Sequence, residues 1–195
     1  MARQRAFTKE ELLEATELLL VERGYDGFHL KALSEAIQGA RSTIYEYYSN
    51  KEEIAAACMR RSMERIVAAC EGLESMEPVA AIKQMLVVFL ANANFHRIMS
   101  AAPKIDRTAS ERVKQDLSFL DEGHEALKVK LTAKFAEAQQ KGDLRSDIPL
   151  PVIVAVFFHA IDTPNWLQLP PKQWADQLFS IWWEGGKNRV QEGRN

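Results

Sequence analysis

"LSEAIQGARSTIYEYYSNKEEI", residues 33–54, sets two short apolar patterns on either side of Gly39 and closes on Lys51-Glu52. Leu30, Leu33, Ala36 and Ile37 make one apolar face; Ile44 and Tyr48, four residues apart, make the next. Asn50 stands where a helix N-cap belongs, with Glu52 and Glu53 in the first turn behind it. The spacing predicts two short helices joined through a tight turn at Gly39, then a long helix from Lys51 to about Leu73. With Ile44 and Tyr48 facing inward, Ser42, Thr43, Tyr45 and Glu46 project outward at about 100° per residue. Polar and aromatic side chains thus crowd one short helix of a slightly acidic chain, which calls for a partner surface.

Working outward, residues 8–23 carry Leu12, Ala15, Thr16, Leu19 and Leu20 on one face and turn Glu10, Glu14 and Glu17 away. Gly24 is expected to end this helix as a left-handed cap. Further helices are predicted from Pro78 to about Asn94, at 96–101, over 106–141 up to Gly142, over 150–163 up to Pro164, and over 171–187. There is no alternating strand pattern and no tandem repeat. The expected fold class is all-α: three helices in an N-terminal helix-turn-helix domain, residues 1–50, and a larger helical domain, residues 51–195. Two short helices behind a longer supporting one form a helix-turn-helix, whose second helix fits a DNA major groove. Small hydroxyls there approach base edges, while tyrosine and lysine hydrogen-bond phosphates. Glu46 either accepts from a cytosine amino group or faces solvent.

Charge alone does not advertise nucleic acid. The 195 residues carry a net charge of −2 with a pI near 6.1, and 47% are hydrophobic, as in ordinary globular chains. Residues 1–51 hold seven Lys/Arg and eight Asp/Glu, so a binding face must be a local patch. Arg3, Arg5, Lys31, Arg41 and Lys51 are expected on it; the Arg3/Arg5 arm is either a solvated tail or a minor-groove reader. No signal-like apolar run opens the chain and no stretch is long enough to span a bilayer. A soluble, cytoplasmic protein with no membrane contact is expected. Cys58 and Cys70, twelve residues apart on one predicted helix, lie about 18 Å apart, too far for a disulfide. His29, His96, His124 and His159 show no zinc-binding spacing, and no nucleophile elbow, phosphate loop or dinucleotide fingerprint occurs. No catalytic residue, metal or cofactor is therefore assigned.

The segment "ERGYDGFHLKALSEAIQGARSTIYEYYSNKEEI", residues 22–54, resembles the DNA-binding segment of TetR-type bacterial transcriptional regulators. The resemblance covers about residues 8–56, and "TIYEYYSNKE", residues 43–52, is its most specific part. Beyond it only the layout agrees: a long helical region, a Gly-Asp-Leu-Arg turn at 142–145 and two final helices. The resemblance implies DNA contacts from Lys31, Arg41, Ser42, Thr43, Tyr45, Glu46, Tyr47 and Lys51. It places His29 at an N-cap where the family usually has Ser or Thr. Gln38-Gly39-Ala40 replaces the usual Gly-Val-Ser turn, which displaces the glycine by one, and Ser34 replaces a small Ala. A homodimer that binds double-stranded operator DNA and is released by a small-molecule effector is what the family implies. A helical adaptor without DNA binding is the other reading.

Polar groups recur inside the apolar runs of the carboxyl-terminal region. Singly, a histidine on an apolar face is usually a satisfied core residue. Together, Phe89, Asn92, His96, Phe119, His124, Phe158, His159 and Asp162 suggest an apolar pocket with a few orienting groups, and the family binds its effector in this region. The last two helices also carry more apolar surface than one pair hides. Val152, Ile153, Val156, Phe157, Trp174, Leu178, Ile181 and Trp182 are the expected dimer interface.

Overall fold

In the computed structural model, which describes residues 7–188, Thr8 opens the first helix with a reciprocal cap. Its hydroxyl accepts from Glu11 N at 3.1 Å, and Glu11 Oε2 accepts from Thr8 N at 2.6 Å. This helix, α1 (Lys9–Gly27), buries Leu12, Leu13, Thr16, Leu19 and Leu20. Gly24, at φ 65° and ψ 179°, breaks its regularity but does not end it. One more turn follows and buries Tyr25, so the expected left-handed cap is replaced by a kink that only glycine adopts readily.

Next come α2 (Leu30–Ala36), α3 (Arg41–Tyr45) and α4 (Lys51–Ala69). Asn50 caps α4 as expected, its Oδ1 accepting from Glu53 N at 2.8 Å, while the Glu53 carboxylate accepts from Ser49 N at 2.9 Å. After a 3-10 turn at Leu73–Ser75 follow α5 (Pro78–Ala91), α6 (Ala93–Met99), the 30-residue α7 (Glu111–Gln140), α8 (Leu150–Ile161) and α9 (Pro171–Gly186). The fold is all-α. A single isolated bridge, Leu144 with Lys187, is the only β pairing among the described residues.

These elements group into two compact units. The first takes in the described residues up to Arg65 together with Asn94–His124. Its core holds Leu12, Leu33, Ile44, Tyr48, Ile54 and Met59, all within 1% of complete burial. Gly123 of α7 lies against Met63 of α4, where an added Cβ would come 2.7 Å from Met63 Cγ. The acidic face of α1 is neutralised inside this unit. Arg61 of α4 pairs with Glu10 and, at 3.4 Å, with Glu14, while Arg65 pairs with Glu17 at 2.8 Å.

The second unit comprises Ile66–Ala93 and the described residues from Glu125 onward. In it α5 packs on α9, and Phe135, Phe157 and Trp182 meet edge to face at 5.1–5.5 Å. Gly142, at φ 83°, makes the Gly-Asp-Leu-Arg turn, which is latched to the end of α9 by Arg145 N donating to Gly186 O at 3.0 Å. Both cysteines are free and buried.

Candidate nucleic-acid interface

The turn between α2 and α3 differs from expectation. The left-handed residue is Gln38, at φ 49°, and Gly39 does not have a positive φ. Glycine is required at 39 for a different reason: an added Cβ would overlap the Phe7 ring. Gly39→Ala is therefore expected to destabilise the first unit by about 1–3 kcal/mol, the cost of overpacking. Thermal denaturation measures it, and an unchanged midpoint would mean that Phe7 moves aside freely.

Ala40 begins α3 as its N-cap, and Ile44 and Tyr48 are completely buried beneath it. That anchoring turns Arg41, Ser42, Tyr45 and Glu46 outward, all exposed, with Thr43 half-buried. Tyr45, a large hydrophobic side chain, is 53% exposed. His29 is the N-cap of α2, exposed, and its side chain makes no capping bond. Lys31 on α2 is exposed and faces Glu35 at 4.0 Å. Lys51, at the start of α4, lies over the Tyr25 ring at 4.1 Å, while the Tyr25 hydroxyl donates to Glu52 at 3.1 Å. Burial and the neighbouring Glu52 carboxylate push Tyr25 well above the usual phenol range. Arg3 and Arg5 lie outside the described residues.

Tyr47 is also held from inside its unit. Its hydroxyl donates to Phe7 O at 3.1 Å, and its carbonyl accepts from Arg112 Nη1 of α7 at 2.9 Å. Tyr47 is thus tied to the interior of its unit, because two partners distant in sequence claim its side chain and its backbone. Arg112 also lies over the Tyr48 ring at 4.2 Å. Burial pushes the Tyr48 phenol up to about 12, against the pull of the Arg112 charge. Arg112 was invisible to motif reasoning, since nothing local links a residue on α7 to the end of α3.

Residues 12–58 match the family model described as "Bacterial regulatory proteins, tetR family". The match is confined to the segment that runs from α1 into α4. Among relatives, the HTH-type transcriptional repressor AcnR of Corynebacterium diphtheriae is 26% identical over 150 residues, 74% of this chain and 72% of that protein. Among solved structures, the ketosteroid transcriptional regulator KstR2 of Mycobacterium tuberculosis superposes with a TM-score of 0.77 at 13% identity. It covers 96% of this chain and all of that one. AibR, solved with isovaleryl coenzyme A and operator DNA, superposes at 0.67 with 18% identity, over 89% and 96% of the two chains. The fold is thus shared along nearly the whole length of this chain.

The residues expected around an effector have mixed surroundings. In the first unit His96 is half-buried edge-on to Phe95, Phe119 lies under the Arg60 guanidinium at 4.6 Å, and His124 is exposed. In the second, Phe89 is buried and Phe158 touches Phe157. Asn92 caps its own helix by donating to Val88 O at 2.8 Å, and His159 and Asp162 are exposed. Asn92 is therefore a helix-end cap, its side-chain amide adding a second donor to the Val88 carbonyl that its own backbone N–H reaches at 3.1 Å.

The expected interface set also divides. Ile153, Phe157, Leu178 and Trp182 are buried within the protomer, while Val152, Val156 and Ile181 are exposed at 50%, 54% and 74%. Trp174 is half-buried and its indole N–H has no partner among the described residues. No single described helix is long and apolar enough to cross a membrane.

Proposed function

We propose that this chain is a tetR-family, homodimeric transcriptional repressor that reads operator DNA with α3 and is released by a small-molecule effector. The observation that carries the reading is the outward face of α3, Arg41, Ser42, Thr43, Tyr45 and Glu46, held on a base of buried Ile44 and Tyr48. The internal pairing of Glu10, Glu14 and Glu17 with Arg61 and Arg65 supports it, because these acids are already matched by protein cations. AibR, of the same fold, is solved with operator DNA and an acyl thioester. Val152, Val156 and Ile181 supply the association surface, and a two-fold axis through it would set paired recognition helices about one DNA turn, 34–36 Å, apart or somewhat more. The effector takes contacts within the second unit, among Phe89, Phe158, His159 and Asp162. The division of labour, head to residue 50 and regulatory region beyond, belongs to the same reading. A regulator of this kind acts in the cytoplasm and carries out no catalytic step.

Gel-shift titration against DNA from around its own gene, at graded salt, tests the proposal. A palindromic footprint and a steep loss of binding with salt are expected; no shift on any fragment would favour a helical adaptor. Within that assay, Lys51→Ala should weaken binding to all sequences alike and lower the salt slope by about one, the signature of one lost phosphate contact. An unchanged slope in the folded variant would remove Lys51 from the DNA face.

A further inference from the structure

The second unit contains a cavity of about 210 Å³ at the junction of the α4 terminus, the 3-10 turn at Leu73–Ser75, α5 and α7. Its wall is almost wholly apolar and is made by Cys70, Leu73, Met85, Val129 and Ala133. Burial pushes the Cys70 thiol up to about 11, so it lines the wall as a neutral, small hydrophobe. Three charged residues complete the lining: Glu74, Lys130 and Lys134.

Two of these charges differ in how firmly they are held. Lys134 is committed: its ammonium donates to Met76 O and to Glu137, both at 2.9 Å, with only 12% of its side chain exposed. Lys130 is held loosely, 3.7 Å from Glu74, and both side chains are about half exposed. An exposed pair at that distance contributes about 0–1 kcal/mol, so an incoming anion can take over Lys130 at little cost.

We infer that this cavity is a binding site for a small carboxylate with a compact apolar body, the body entering the cavity and the carboxylate meeting Lys130. The size sets the body. An apolar cavity of about 150 Å³ holds a benzene ring, so this one admits a bicyclic ring or a short branched chain. Whole drug-sized ligands occupy about 300–1,000 Å³, so any larger ligand must leave its remainder outside, past Lys130. The apolar wall selects against polar bodies, whose groups would be buried without partners. None of the wall residues belongs to the phenylalanine and histidine set expected from sequence. The regulatory meaning of the site rests on the effector reading, but binding does not require DNA.

The test is calorimetric titration of the full chain with 2-naphthoate and with its neutral counterpart, 2-naphthalenemethanol. Naphthoate is expected to bind in the unmutated protein, and Lys130→Gln to weaken it about fivefold or more while leaving the alcohol unaffected. Ala133→Trp, at an exposed position, should abolish both titrations without lowering the melting temperature. Absence of binding at millimolar naphthoate, indifference to Lys130→Gln, or undiminished binding in Ala133→Trp would each overturn the inference. Naphthoate binding by a protein that shifts no DNA would sink the regulatory reading and leave the site standing.

Discussion

Arg112→Met is expected to weaken operator binding by about tenfold or more while leaving the salt slope unchanged. The guanidinium donates to the Tyr47 carbonyl, just past the end of α3, and lies over the buried Tyr48 ring. A hydrogen bond from a charged donor is worth about 1.5–3 kcal/mol and a cation over an aromatic face about 0.5–2 kcal/mol. Methionine keeps the bulk and loses both. The loss falls on the backbone that fixes the angle of α3, and each 1.4 kcal/mol is tenfold in affinity. Because Arg112 is assigned no phosphate, no counterion release disappears with it, which separates this variant from Lys51→Ala. Amide hydrogen exchange provides a readout free of DNA: the amides of Thr43–Tyr48 should exchange faster in Arg112→Met, and those in the centre of α1 should not. Arg112→Lys, which retains charge beside Tyr48, should fall between. A salt slope lowered by about one would make Arg112 a phosphate contact, and unchanged affinity with unchanged exchange would remove its positioning role.

That Arg112 reaches the Tyr47 carbonyl from α7 shows where sequence reading stops. What is local was legible. Asn50 caps α4 because the bond it makes spans three residues, and Ile44 and Tyr48 are buried because their four-residue spacing puts them on one helix face. The acidic stripe of α1 was legible as a face, though its partners, Arg61 and Arg65, were not. Tyr47 reads as a DNA contact beside Tyr45, and its partners within the unit, Phe7 and Arg112, are 40 and 65 residues away where no local pattern shows them. Gly39 was rightly singled out and wrongly explained: Gln38 makes the turn, and Phe7 sets the need for glycine. The same limit governs the effector region. Histidines inside apolar runs stand out in a sequence, but His124 and His159 are exposed, while the apolar cavity is bounded by residues such as Leu73 and Ala133 that no motif marks.

The final two helices lead to a pair of predictions with opposite outcomes. Adjacent residues on α9, Ile181 and Trp182, read alike in sequence as interface. Trp182 is 7% exposed, meets Phe135, Phe157 and Phe179 at 5.4–5.5 Å, and sends its indole N–H toward Ile153 O at 3.4 Å. Trp182→Ala leaves a cavity at the centre of that cluster and is expected to cost about 3–5 kcal/mol. Against a total stability of about 5–15 kcal/mol this removes much of the margin of the second unit, which will show as a lowered melting temperature and a collapsed near-ultraviolet dichroism signal. Ile181, 74% exposed, makes no comparable contribution within the protomer. Ile181→Asp combined with Val156→Asp should leave melting of the protomer nearly unchanged and convert a dimer into a monomer, measured by light scattering at micromolar concentration. Operator affinity should fall with it, since two half-sites are then no longer held by one particle. A dimer that survives both aspartates would place the association surface elsewhere, and a Trp182→Ala protein that melts like the parent would deny the aromatic cluster its structural role.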